Sequence, residues 1–325
     1  MASANEPKTL QEAIIYFQDL DNCQNYIVAR RWPNGVTCPT CGRSDVRYLA
    51  NQRRWECKAQ HAKKQFSIKV GSIFEDSAVS LDKWLCAVWL ITNAKNGISS
   101  WEIHRSLGVT QKTAWFMLHR VRLGMQSKHG GKLSGEVEVD ESFIGGAARN
   151  MHGDVKARKL QGRHGGTVGK AIVAAVLERG GKVRTKVIEK RKKKQLQSLV
   201  RENVEAGSAL YSDALKSYEG LDGEFAHQVI DHAVAYVDGA VHTNGLENFW
   251  SLLKRGINGT YVSVEPYHLF RYLDEQSFRF NNRQDMNDAD RFSMVVSQLA
   301  GKRLTWKDLI GKEAETPQAQ SETRA

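Results

Sequence analysis

The chain has 325 residues, 41% of them hydrophobic, which is enough for one sizeable domain with a buried core and one or two small ones. Its 47 Lys and Arg against 36 Asp and Glu give a formal net charge of +11, which favours a polyanionic partner, nucleic acid before a membrane surface. Neither a signal-peptide core nor an apolar run of about eighteen residues occurs, so we expect a cytoplasmic protein without membrane contact.

Residues 1–30 are predicted to form a helical segment, and residues 31–76 carry the pattern of a zinc ribbon. Cys-Pro-Thr-Cys, a gap of 15 residues and Cys-Lys-Ala-Gln-His supply three thiolates and an imidazole, a set that tetrahedral Zn²⁺ binds in structural sites. These ligands are Cys38, Cys41, Cys57 and His61. Short strands are expected at 46–49, 53–56 and 65–68. So short a segment buries little apolar surface, so the metal should supply much of its folding free energy.

The fourth ligand has an alternative interpretation. His61 is one residue farther from its partner cysteine than in the usual pair, so it could instead be an incidental surface histidine. The predicted ribbon is also strongly basic, which indicates a surface that contacts phosphate, although such faces are often only solvated. We expect Arg53 and Arg54 to contact DNA.

Residues 77–127 show the apolar spacing of helices with one buried face. A short helix ends at Gly108, and a longer one begins after Thr110, an order typical of a helix-turn-helix unit. In such a unit the polar residues that open the second helix face the major groove. We therefore predict DNA contacts from Gln111, Lys112 and Thr113. A three-helix spacer that does not contact DNA would have the same pattern.

Residues 133–285 alternate strands and helices. The first three strands should form an antiparallel meander, and a helix, a fourth strand, a short helix, a fifth strand and a last helix follow. The strands are expected at 136–146, 171–177, 183–188, 209–213 and 228–231, and the helices at 194–206, 215–221 and 246–255. This order predicts a mixed α/β domain of the ribonuclease H type. Residues 147–169 are predicted to be a loop, and residues 286–325 a C-terminal helix with a disordered tail.

Three acidic residues fall where this fold would bring them together. Asp140 ends the buried-type pattern of the first strand, Asp213 ends the fourth strand beside it, and Glu247 lies in the first turn of the last helix. The last two are 34 residues apart, which suits a D,D-(about 35)-E triad. Three converging carboxylates can hold two Mg²⁺ or Mn²⁺ ions about 3.5 to 4 Å apart. The structural alternatives are a helix cap for Asp213, a solvated helix face for Glu247 and a charge at a strand edge for Asp140.

Four sequence blocks carry a family resemblance: E-V-D-E-S-F-I-G-G at 138–146, L-Y-S-D at 210–213, V-H-T-N-G-L-E-N-F-W-S-L-L-K-R-G at 241–256 and R-Y-L-D-E-Q-S-F-R-F-N-N-R at 271–283. Together with the ribbon upstream, they resemble insertion-sequence DDE transposases of the IS1595 group. The resemblance implies two-metal cleavage and strand transfer at the terminal inverted repeats of the enzyme's own element. It also implies that the enzyme binds double-stranded DNA, both the terminal inverted repeats and the target, as a homodimer or higher oligomer. The expected location is the bacterial or archaeal nucleoid.

Carried over residue by residue, the resemblance assigns the two aspartates to Asp140 and Asp213. It leaves the third position between Glu247 and Asn244, one helical turn apart. Glu247 is favoured because a carboxylate binds Mg²⁺ better, and because Lys254 falls on the same helix face. Two departures from the group's pattern are the wider second zinc-ligand pair and Asn248, where a small residue is expected.

Further roles follow from the same resemblance. Lys254 would contact a DNA phosphate near the scissile bond, the adjacent Arg255 would also contact DNA, and His242 would orient DNA or a metal-bound water. Glu141 is a rival carboxylate. Two other functions stay open, a DNA-binding regulator with an inactive core and a nuclease of the ribonuclease H type that cleaves without joining.

Overall fold

The computed structural model describes residues 6–126, 130–146, 151–160, 165–213, 216–230 and 242–311. Its helices are α1 (Leu10–Phe17), α2 (Leu20–Arg31), α3 (Leu81–Asn93), α4 (Ser100–Leu107), α5 (Gln111–Met125), α6 (Gly153–Leu160), α7 (Lys193–Asn203), α8 (Asn244–Arg255), α9 (Leu269–Asn281), α10 (Asp288–Ser297) and α11 (Trp306–Leu309). Its strands are β1 (Val46–Leu49), β2 (Arg54–Cys57), β3 (Gln65–Ser67), β4 (Glu136–Ile144), β5 (Ala171–Glu178), β6 (Val183–Ile188), β7 (Ala209–Asp213) and β8 (Ala226–Ile230).

The chain divides into two compact units. The first comprises Met1–Trp89, Ser100–Gly124 and Phe292–Ala325, and the second comprises Leu90–Ser99 and Met125–Arg291. None of the helices in the described ranges combines the length and the apolar character needed to cross a membrane.

In the first unit, β1, β2 and β3 form the antiparallel sheet expected for the ribbon. Trp55 and Phe66 face each other across β2 and β3 with stacked rings 5.9 Å apart, and Trp32 packs edge-on against both. So small a sheet buries little apolar surface, so the ribbon needs a further constraint to be stable.

Farther along this unit, α4 and α5 are joined by a turn at Gly108, whose φ of +59° is the left-handed value that ends a helix. Thr110 caps α5, since its Oγ1 accepts a hydrogen bond from the Thr113 backbone N–H. The predicted pair of helices with a glycine turn is confirmed.

The second unit is built on a five-stranded sheet in the order β6-β5-β4-β7-β8. The strands β4, β5 and β6 are antiparallel neighbours, whereas β7 pairs parallel with β4 and β8 pairs parallel with β7. This is the mixed α/β arrangement of the ribonuclease H type that the sequence predicts.

Helices cover both faces of this sheet. On one face, Val137 and Val139 of β4 belong to the same buried cluster as Leu196 and Leu199 of α7. On the other face, side chains of β5 and the buried stripe of α8 form a second cluster, completed by α9. The sheet is therefore buried on both sides, and polar side chains inside it need specific partners.

Besides shifts of one to three residues at other ends of strands and helices, three details differ from the sequence prediction. The expected loop at 147–169 contains α6, which lies in a glycine-rich, basic stretch without strong apolar periodicity. The helix expected at 215–221 is a 3₁₀ turn at Lys216–Tyr218 in the described part of that range. The strand β8 begins two residues early, because Ala226 and His227 also pair with β7.

Candidate functional site: a zinc ribbon and a paired-aspartate centre

Cys38, Cys41, Cys57 and His61 converge in the ribbon, with one ligand atom from each lying within 4.8 Å of all the others. The Cys41 and Cys57 sulfurs are 3.6 Å apart, and Cys38 Sγ is 3.5 Å from His61 Nε2. These distances suit the edges of a tetrahedron around Zn²⁺, which are about 3.7 Å for two sulfurs at the usual bond length. The residues therefore fit structural zinc.

The imidazole of His61 is oriented for such a role. Its Nδ1 lies 2.6 Å from the Ala62 carbonyl oxygen, a contact in which Nδ1 donates and Nε2 is left to face the metal. The pKa of Cys38 is about 6, below its usual value, although burial opposes ionisation; backbone N–H groups of Cys41 and Thr40 and the neighbouring thiols stabilise the thiolate. A low thiol pKa favours metal binding at neutral pH.

The predicted DNA contacts of the first unit have different surroundings. Arg53 forms an ion pair with Asp21 at 2.6 Å, whereas Arg54 is exposed. Gln111 donates to Ser100 Oγ at 2.8 Å, which ties α5 to α4.

Lys112 is exposed, and its ammonium lies 4.6 Å from the centre of the Trp306 ring in α11. Thr113 shares a hydrogen bond with the hydroxyl of Thr110 at the start of α5. Of the predicted contacts in this unit, Arg54 and Lys112 are thus the ones with exposed side chains and no ion pair among the described residues.

In the second unit, Asp140 and Asp213 lie on adjacent parallel strands. Val139 pairs with Ser212 in the register of β4 and β7, so the next position along each strand is an aspartate. Side chains at paired positions of parallel strands point to the same face of the sheet. That face is the one α8 covers, because the Trp250 indole Nε1 of α8 donates to Asp140 Oδ2 at 2.8 Å.

The electrostatics around Asp140 are unfavourable for an ionised carboxylate. The pKa of Asp140 is raised to about 7, chiefly by burial and also by the negative charges of Glu141 and Asp213, while the Trp250 hydrogen bond opposes the shift. A carboxyl whose pKa lies near neutrality lacks a compensating positive charge. A divalent cation bound by both aspartates would supply that charge.

Glu141, the rival carboxylate, belongs to the other face of β4. The Tyr218 hydroxyl donates to its Oε2 at 2.9 Å, and the Arg191 guanidinium pairs with its Oε1 at 3.1 Å. Burial is the main cause that raises the pKa of Glu141, followed by the charge of Asp213. The carboxylate is thus held by partners of its own and is turned away from α8.

The helix α8 carries four predicted site residues. Glu247, Asn244, Lys254 and Arg255 are all exposed, whereas Leu246, Phe249, Trp250 and Leu253 are buried. Among the described residues, the four ribbon ligands form a cluster tight enough to hold a metal ion, whereas the acidic side chains of the second unit lie farther apart.

His242 lies just before α8 and faces the protein. Arg179 Nη2 donates to the His242 carbonyl oxygen at 2.8 Å and lies 3.2 Å from the ring Nδ1, which is itself 3.5 Å from Glu138. Sequence reasoning missed Glu138 and Trp250, although Trp250 follows Glu247 by one helical turn within the quoted motif. Its position in that motif was the available signal.

A ribbon that fits zinc, followed by a ribonuclease H-type core with paired aspartates, is the architecture of a transposase. The model of the ISXO2-like transposase domain matches residues 132–281, and that of the transposase zinc-ribbon domain matches residues 19–62. The chain belongs to this family, the IS1595 group of insertion-sequence transposases.

Relatives agree with this assignment. An "uncharacterized transposase-like protein" of Haemophilus influenzae is 34% identical over 104 residues, which cover 32% of this chain and 84% of that protein. An "uncharacterized protein in transposable element ISH50" of Halobacterium salinarum is 28% identical over 245 residues, or 72% of this chain and 82% of that protein.

One solved structure also aligns, the "CryoEM structure of simian T-cell lymphotropic virus intasome in complex with PP2A regulatory subunit B56 gamma". The alignment covers 58% of this chain and 66% of that chain at 10% identity, with a TM-score of 0.29.

Proposed function

We propose that the chain cleaves DNA at the terminal inverted repeats of its own insertion sequence and joins the ends to target DNA in a reaction that depends on divalent metal. The observation that carries the proposal is the pair Asp140 and Asp213, adjacent in register on parallel strands and facing the helix that carries Glu247. Two carboxylates side by side on one face, one of them with a raised pKa, are a donor set that suits a cation.

The donor set suits two Mg²⁺ or Mn²⁺ ions. Hard cations prefer carboxylate oxygens, and the raised pKa of Asp140 reflects an uncompensated negative site. When bound, the ions would lower the pKa of an attacking water or 3′-hydroxyl and stabilise the oxygen that leaves the phosphodiester. The protein's part is to hold the carboxylates in place: Trp250 fixes one oxygen of Asp140, and the Glu141 backbone N–H donates to the other at 2.8 Å.

Helical phase favours Glu247 over Asn244 as the third ligand. Trp250 marks the side of α8 that reaches Asp140. At about 100° per residue, Glu247 is about 60° around the helix from Trp250, whereas Asn244 is about 120° away. Lys254 lies within about 20° of Glu247 by the same count. We therefore assign the third metal contact to Glu247.

Phosphate contacts near the scissile bond are assigned to the exposed end of the same helix. Lys254 and Arg255 are exposed in its last turn, and Lys254 shares the side of Glu247. A cation on that side of α8 would contact the sugar-phosphate backbone of DNA whose scissile phosphate lies over Asp140 and Asp213. His242, which faces Arg179, is better suited to orient the start of α8 than to touch DNA.

DNA-end recognition is assigned to the first unit. The zinc ribbon offers Arg53 and Arg54 and α5 offers Gln111, Lys112 and Thr113 for backbone and groove contacts. Since each catalytic centre acts on one end and an element has two, we propose a homodimer or larger assembly on double-stranded DNA.

A strand-transfer assay tests the proposal. Duplexes that carry the inverted repeats bordering the gene are incubated with Mg²⁺ and a target plasmid, either uncut or pre-cut to expose the 3′-hydroxyl. Joining of the pre-cut end supports a transposase, cleavage without joining would indicate a nuclease, and binding without either would indicate a regulator. Glu247→Gln and Asn244→Ala, compared side by side, identify the third ligand: Glu247→Gln should abolish joining and Asn244→Ala should retain it.

A further inference from the structure

We infer that Glu138 is a positioning residue for the proposed catalytic centre. Its buried carboxylate fixes the first turn of α8, and with it Glu247, against the strand that carries Asp140. The catalytic meaning of this contact rests on the proposed function, whereas the contact itself does not.

The start of α8 lacks a local cap. Thr243, the residue before the helix, makes no capping hydrogen bond with its side chain. The first backbone N–H groups of a helix have no acceptor within it and need one elsewhere. Glu138 supplies one from β4, since its Oε2 accepts the Leu246 N–H at 2.9 Å. The negative charge of the carboxylate is also favoured at this positive end of the helix dipole.

The same carboxylate is held by a cation. Glu138 is 1% exposed, and the Arg179 Nε donates to its Oε1 at 3.1 Å. Arg179 in turn donates to the His242 carbonyl oxygen at 2.8 Å and lies over the ring of Tyr211, 4.1 Å from its centre. A buried charge persists only with such partners. The chain is thus held by two hydrogen bonds as it enters α8, one from the Leu246 N–H to Glu138 and one from Arg179 to the His242 carbonyl oxygen.

Close packing leaves the helix little freedom to shift. A Cβ atom at Gly245 would lie 2.6 Å from Leu177 Cδ2 and 2.8 Å from Glu138 Oε2, so glycine is the residue that permits this approach. Glu138 precedes Asp140 by two residues in β4, so both side chains face α8. Movement of the first turn would move Glu247 relative to Asp140, and an error of about 1 Å in a catalytic group can cost about 100-fold in rate.

Hydrogen exchange tests the contact without reference to activity. Glu138→Ala removes the acceptor of the Leu246 N–H, so exchange in the first turn of α8 should rise at least about tenfold while peptides of β5 stay unchanged. Glu138→Gln keeps an oxygen acceptor and should show a smaller rise. The matched control is Glu136→Gln, because Glu136 accepts from the Tyr211 hydroxyl and lies 3.6 Å from Arg179 but makes no described contact with α8.

Cleavage kinetics then test positioning. Glu138→Ala should lower the cleavage rate at least about tenfold and raise the half-saturating Mg²⁺ concentration, while binding to end DNA stays within about twofold. Glu138→Gln should restore part of the rate, and Glu136→Gln should match the wild type.

Two results would overturn the inference. Unchanged exchange in α8 would show that Glu138 does not cap the helix, and raised exchange with wild-type kinetics would show that capping does not position the centre. If Glu138→Ala does not fold, Glu138→Gln decides by the same two readouts. Failure of the proposed function is separate, since it would appear as cleavage that survives Asp140→Asn.

Discussion

Replacing Trp250 with phenylalanine should move the acidic limb of the cleavage pH profile toward higher pH. The indole Nε1 donates to Asp140 Oδ2 at 2.8 Å and stabilises the ionised carboxylate, which already has a pKa of about 7 because it is buried. A hydrogen bond to a charged group contributes about 1.5 to 3 kcal/mol, equivalent to a further rise of about 1 to 2 pKa units. At pH 7 the variant would hold Asp140 mostly protonated and would bind metal poorly.

The assay is the initial rate of end cleavage from pH 6 to 9 at a Mg²⁺ concentration below saturation. Trp250→Phe should be slow at pH 7 and recover toward the wild-type rate near pH 9. Phe249→Leu, a change at the neighbouring buried ring of α8, is the control for lost packing and should lower the rate equally at every pH. An acidic limb that coincides with that of the wild type would refute the role given to the indole.

Three further predictions concern the metal sites and the DNA contacts. Cys38→Ser should reduce zinc content and weaken end binding at least about tenfold, because the ribbon depends on metal to fold. Zinc analysis together with a gel-shift titration checks this prediction, and an unchanged affinity for end DNA would count against it. The pKa of Asp140 is raised from its ordinary 3.8 to about 7, so its contribution to stability is lost as pH rises between those values. Without divalent metal, Asp140→Asn should therefore be more stable than the wild type at pH 8 by up to about 4 kcal/mol, and equal to it near pH 3.5, as urea titrations would show. Lys254→Gln should reduce the salt dependence of binding to pre-cut ends by about one unit of slope, and an unchanged slope would exclude a phosphate contact.

Much of the core sheet can be predicted from local pattern. Alternating apolar residues locate β4, a short apolar run locates β5, and the glycine turn that separates β5 from β6 indicates an antiparallel meander. Placing Asp140 beside Asp213 then requires only the strand order of the fold. The zinc ligands are equally local, because their spacing is set by two tight turns.

What the sequence does not reveal are contacts between distant segments. Glu138 looks like an outward-facing polar residue in an alternating strand, and only the helix that covers that face makes it 1% exposed. Its bond to Leu246 spans 108 residues, and the bond between Trp250 and Asp140 spans 110. Such partners depend on the angle at which α8 crosses the sheet, which no local periodicity encodes.

The central claim is that Asp140 and Asp213 perform metal-dependent chemistry on DNA ends that the first unit binds. It is tested most directly by measuring end cleavage and end binding in parallel for the wild type, Asp140→Asn and Asp213→Asn, with Mg²⁺ and with EDTA. We predict that the wild type cleaves only with Mg²⁺, and that each variant binds ends within about twofold of the wild type while losing cleavage by at least about 1,000-fold. Cleavage by either variant at the wild-type rate would contradict the account.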